Sequence, residues 1–126
     1  MKKTVLSILI LSSMATVAGP RTSHHGDFVL ICHKPKFLQE KPAQDSKVNA
    51  FQNFEFIASE NTDAETLKVW VNNNPIEVAI DHRPSGYYRI VGKLPEPLLE
   101  GKAWIKVTSE SNDGCNDLRA WNVYIN

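Results

Sequence analysis

The residues able to do chemistry are few. Four histidines occur in the chain, and three of them, His24, His25 and His33, fall within ten positions of one another with Asp27 between them. Imidazole and carboxylate are the ligand types that Cu(II) and Zn(II) take. Adjacent histidines on a polar leader are a poor preformed site, so a periplasmic Cu/Zn-binding protein using His24, His25 and His33 stands as the alternative reading. His82 lies in a distant turn. A copper chelate through a free terminal amine would need cleavage just before His24, and Arg21 at the resulting −3 position argues against that cut. The two cysteines, Cys32 and Cys115, allow one pairing only. A reactive Cys32–His33 site is disfavoured, because neighbours on a strand point to opposite faces. A Cys32–Cys115 disulfide is the expectation. No Gly-flanked serine elbow, no H-E-x-x-H pair and no Gly-rich phosphate loop is present, and Asp81, His82 and Glu110 read as solvated polar groups. Neither catalysis nor a cofactor is expected.

Composition sets the frame for these groups. With 126 residues, 42% of them apolar and 22% charged, the chain is long enough for one ordered domain. Lys plus Arg equals Asp plus Glu at 14 each, so no charge excess points to nucleic acid or an anionic membrane as partner. Lys2 and Lys3, the apolar stretch 5–11 and the small residues 12–18 have the three-part layout of a secretory signal peptide. The run is too short and too rich in hydroxyls to span a hydrocarbon core of ~30 Å, and no stable membrane insertion is expected after cleavage at Ala18. Export to the periplasm or beyond follows. The mature chain then carries 12 basic and 14 acidic residues, since residues 1–18 hold two lysines and no acid. In an oxidising compartment, closing the 83-residue separation between Cys32 and Cys115 contributes up to roughly 4.6 kcal/mol.

The elements that position these side chains read as strands. Residues 19–26 form a polar leader, and 27–126 form the domain. The β-rich run 28–32 predicts a first, edge strand, followed by a long polar surface connection through Pro35 and Pro42 to residue 50. Alternation predicts strands at 51–59, 67–71, 76–80, 87–91, 101–108 and 118–125. Thr62 and Glu65 have the spacing of a capping box and predict one helical turn. Asn72-Asn73-Asn74-Pro75 predicts a hairpin turn between 67–71 and 76–80. Gly92 is read as a strand end, with Pro95 and Pro97 in the connection 93–100. Seven short strands and no long amphipathic helix leave sheet-on-sheet packing as the way to bury an apolar face.

Two stretches, Thr62-Asp63-Ala64-Glu65-Thr66-Leu67-Lys68-Val69-Trp70-Val71-Asn72 and Leu99-Glu100-Gly101-Lys102-Ala103-Trp104-Ile105-Lys106-Val107 followed by Asp113-Gly114, resemble the immunoglobulin-like modules of bacterial surface and secreted proteins. The resemblance covers residues 50–126 and implies an all-β, seven-stranded immunoglobulin-like β-sandwich with adhesion, scaffolding or ligand presentation as its work. In such a topology the strands at 67–71, 101–108 and 118–125 are sheet neighbours. Parity then places Leu67, Val69, Val71, Ala103, Ile105, Val107, Trp121, Val123 and Ile125 inside, and Trp70, Trp104, Tyr124, Lys68 and Lys106 together on an outer aromatic face. Exposed tryptophans suit stacking on sugars or packing against a partner. The main functional expectation is therefore an exported module that engages a protein or glycan of the cell envelope noncovalently.

Overall fold

The computed structural model describes residues 31–126. The expected signal peptide, the leader with His24 and His25, and most of the expected strand at 28–32 lie outside the described residues. Its described end, residues 31 and 32, is not in a strand.

Among the described residues, nine strands build two sheets: β1 (Phe37–Lys41), β2 (Lys47–Val48), β3 (Phe51–Ala58), β4 (Thr62–Val71), β5 (Asn74–Ile76), β6 (Val78–His82), β7 (Tyr88–Leu98), β8 (Gly101–Ser111) and β9 (Asn116–Ile125). One sheet has the order β1-β3-β7-β6 and the other β2-β9-β8-β4-β5. This is a two-layer, all-β sandwich with an immunoglobulin-like strand order, in which β1 and β2 edge opposite sheets. β2 runs parallel to β9, whereas every other pairing is antiparallel.

Period-two alternation explains the layers. Along β8, Ala103, Ile105, Val107, Ser109 and Ser111 are buried while Trp104, Lys106 and Thr108 are half-buried on the other face. β9 repeats the pattern with Trp121, Val123 and Ile125 buried. From the opposite sheet, Phe54, Phe56, Ala58 and Ile90 face them. Phe56 meets Trp121 edge-on at 5.9 Å between centroids, and Phe37 meets Phe56 edge-on at 6.1 Å, the geometry favoured by the aromatic quadrupole. The buried Trp121 Nε1–H donates to the Pro42 carbonyl at 3.2 Å.

Several local expectations are corrected. The polar connection 33–50 contains two strands: β1 pairs with β3, and β2 with β9. Its prolines hid the alternation. The Thr62–Glu65 spacing caps no helix, because Thr62 pairs with Ser111 and Asp63 with Glu110 in the β4–β8 ladder. Long-range pairing overrides the local signal there, and Asp63 Oδ1 accepts the Glu65 N–H within a bulge. The Asn72-Asn73 turn exists, with φ of 51° and 69°, values suited to a type I′ hairpin. However, it joins β4 to the three-residue β5 alone, and beyond Glu77 the chain crosses to the other sheet as β6. Gly92 does not end its strand. β7 continues to Leu98, and Gly92 sits opposite Phe54, whose ring fills the space a side chain at 92 would need. Pro95 and Pro97 are tolerated because the β3–β7 register shifts between Phe51 and Asn53, freeing that stretch from the ladder.

Candidate metal centre

The Cys32–Cys115 disulfide is present, with 5.7 Å between Cα atoms. It joins the segment before β1 to the tight turn between β8 and β9. Asp113 and Gly114, with φ of 92° at the glycine, shape that turn. The disulfide brings together two residues that flank the cysteines, His33 and Asp113. The His33 N–H donates to Asp113 Oδ2 at 3.1 Å, and the His33 imidazole Nδ1 lies 3.6 Å from the same oxygen. Ser111 Oγ donates to the other oxygen, Asp113 Oδ1, at 2.5 Å and accepts the Cys115 N–H at 3.1 Å.

The histidine arm is pinned from a third side. Asn61, in the turn between β3 and β4, donates from Nδ2 to the carbonyls of His33 at 3.1 Å and Lys34 at 3.3 Å. Ser59 Oγ accepts the Lys36 N–H at 2.8 Å, and the Asn112 N–H donates to the Asn61 carbonyl at 2.8 Å. Three chain segments thus meet at one end of the sandwich, and an open depression of about 600 Å³ extends from His33 and Asp113 to Glu60 and Tyr87.

Electrostatically, the Ser111 hydroxyl and then the His33 amide hold the Asp113 carboxyl below its ordinary 3.8. Hydrogen bonds to the ionised form favour it. Asp113 is therefore an anion at neutral pH, with the His33 imidazole beside it and 80% exposed. Two donors 3.6 Å apart fit one ion, since two metal–ligand bonds of ~2.0–2.2 Å end to end span ~4.2 Å. Among the described residues, no group of three or more His, Cys, Asp or Glu side chains is gathered for a metal. His33 and Asp113 are a pair of side-chain donors and no third such residue joins them among the described residues.

The other residues singled out from the sequence lie elsewhere. His24 and His25 are outside the described residues. His82 stacks on Tyr88 at 4.3 Å between centroids and has Nε2 3.1 Å from the Gly86 carbonyl oxygen. Trp70, Trp104, Lys106, Lys68 and Tyr124 share the outer face of the five-stranded sheet, on the adjacent strands β4, β8 and β9. There Lys106 Nζ lies over Trp70, 4.6 Å from the ring centroid, and 5.8 Å from that of Trp104. Both tryptophans are half-buried, and the ammonium covers part of their faces. Asp113 was missed as a donor, because Asn112-Asp113-Gly114 reads as a turn. The signal that finds it is the cysteine pairing itself: joining residue 32 to 115 puts 33 and 113 on facing arms.

No protein-family model matches the chain, and no curated protein matches it. Among solved structures, the fold is similar to CopC from Methylosinus trichosporium OB3b, with a TM-score of 0.58 and 11% identity over 73% of this chain and 93% of that one. It is also similar to PcoC, a methionine-rich copper resistance protein from Escherichia coli, with a TM-score of 0.56 and 18% identity over 75% of this chain and 100% of that one. At these identities the likeness is one of fold. One sequence difference is chemical: this chain has two methionines, Met1 and Met14, both outside the described residues. Solved sandwiches that share this fold include a copper resistance protein, and that finding overturns the expectation of a module whose partner is an envelope protein or glycan.

Proposed function

We propose that this chain is an exported copper-binding protein that takes Cu(II) at the clasped end of its sandwich. His33 and Asp113 supply two donors there. The observation that carries the reading is the apposition of the His33 imidazole and the ionised Asp113 carboxylate, held at 3.6 Å by a disulfide and three converging segments. Copper resistance proteins with the same fold support it.

Donor chemistry selects the oxidation state. Thioether and thiolate ligands favour Cu(I), whereas imidazole and carboxylate favour divalent ions, among which Cu(II) binds a given nitrogen and oxygen set most tightly. Residues 31–126 contain no methionine, and both cysteines are oxidised to the disulfide. Nitrogen and oxygen donors are what the folded body offers. Export follows from the N-terminal address, whose compartment also sustains the disulfide.

Titration of the signal-cleaved protein with Cu(II), followed by the visible ligand-field band and by isothermal calorimetry, tests the proposal. One equivalent is expected to bind, with at least tenfold weaker binding in His33→Ala and in Asp113→Asn, and loss of the site when both are replaced together. Unchanged binding in His33→Ala and Asp113→Asn would overturn the assignment.

A further inference from the structure

The clasp joins two sulfur atoms at the same end of the molecule, and the hydrogen bonds around it are made by atoms other than sulfur. The His33 N–H to Asp113 Oδ2, the Asn61 Nδ2–H to the His33 and Lys34 carbonyls, the Lys36 N–H to Ser59 Oγ and the Cys115 N–H to Ser111 Oγ all tie residues 33–36 and 111–115 to the sandwich through backbone and side-chain atoms other than sulfur. Breaking the disulfide therefore leaves two thiols on arms still held together. Their Cα atoms, 5.7 Å apart, lie within the range from which two cysteines converge. Both residues are half-buried rather than sealed, so a reductant has access.

We propose that Cys32–Cys115 is a reducible second donor set: once reduced, the dithiol binds one Cu(I) and converts this end of the sandwich from a nitrogen-oxygen site into a sulfur site. The proposal rests on copper being the cargo. A dithiol reductant transfers two electrons and two protons to the disulfide, becoming a disulfide itself and leaving Cys32 and Cys115 as thiols. Cu(I) then displaces both thiol protons to solvent and is held by two thiolates, the soft ligands it prefers. The oxidised chain has no such ligands in residues 31–126, so the oxidation state of the clasp selects the oxidation state of the bound metal.

The test uses signal-cleaved protein, oxidised or reduced with dithiothreitol and then desalted without oxygen, challenged with the coloured Cu(I)–bicinchoninate complex. The reduced protein is expected to withdraw one equivalent of Cu(I), the oxidised protein at least a hundredfold less effectively, and reduced Cys32→Ser and Cys115→Ser no better than the oxidised form. Near-ultraviolet circular dichroism of the core Trp121 monitors folding in each sample. The proposal is overturned if the folded, reduced protein withdraws no Cu(I), if either serine variant does so equally well, or if reduction abolishes the Trp121 signal. His33→Ala separates the two sites: it is expected to weaken Cu(II) binding by the oxidised protein and leave Cu(I) withdrawal by the reduced protein within twofold. Absence of Cu(II) binding together with intact Cu(I) withdrawal would sink the His33–Asp113 assignment and leave the dithiol site standing.

Discussion

Gly92 offers the sharpest test of how this sandwich is packed. A Cβ placed there would lie 2.1 Å from Phe54 Cζ and 2.5 Å and 2.7 Å from the two Cε atoms, well inside contact distance. Phe54 cannot swing aside freely, since it is 2% exposed and its ring stacks on Phe51 at 5.9 Å. The backbone at 92 is ordinary strand, so Gly92→Ala gains ~0.5–1 kcal/mol from a less flexible unfolded chain. Overpacking against the ring costs ~1–3 kcal/mol. A net loss of ~1–2 kcal/mol is expected, a fall in Tm on the order of 5–15 °C for a domain of this size. Thermal and urea unfolding of Gly92→Ala, Phe54→Leu and the double variant form a cycle that isolates the contact. With the ring gone, Gly92→Ala is expected to cost nothing, giving a coupling of ~1–2 kcal/mol. Strict additivity, within ~0.5 kcal/mol, would refute the reasoning and mean that the glycine serves no close approach.

Three further outcomes follow from the same structure. Replacing both Cys32 and Cys115 with alanine should lower stability by up to about 4.6 kcal/mol, read from urea midpoints, because the unfolded chain regains the freedom of an 83-residue loop; an unchanged midpoint would contradict this. Asp113 is depressed in the folded state by Ser111 and the His33 amide, so its contribution is fully present above its unfolded pKa and is lost as pH falls below 3.8 and through the lower folded value. Asp113→Asn should therefore flatten the acid limb of the stability profile between pH 5 and 2, roughly, and leave its slope above pH 5 unaltered. Lys106→Ala should lose ~0.5–1 kcal/mol with a change in tryptophan fluorescence, since the ammonium lies over Trp70, and Lys106→Arg should retain most of it.

Much of the sandwich was legible in one dimension because burial on a sheet is a period-two signal. Val69 and Val71, Ala103 to Val107, and Trp121 to Ile125 announce an inner face wherever alternation is unbroken, and two facing layers are the way to bury it without helices. The same parity put Trp70, Trp104 and Tyr124 on the opposite face. What alternation could not reveal were strands made by position rather than pattern. β1 and β2 sit in a polar, proline-containing stretch and are strands because β3 and β9 present open edges to them. β4 begins at Thr62 because Ser111 is its partner, and β7 runs through Gly92 because Phe54 occupies the room above it.

The candidate site divides the same way. Residue types alone determined that imidazole, carboxylate and a single cysteine pairing were the available chemistry, since those are properties of side chains. Only the tertiary structure decided that His33 would face Asp113, 80 positions along the chain. The Asp113-Gly114 turn, the Asn61 hydrogen bonds and the disulfide all converge on that meeting, and contacts between distant segments have no period for a sequence to display.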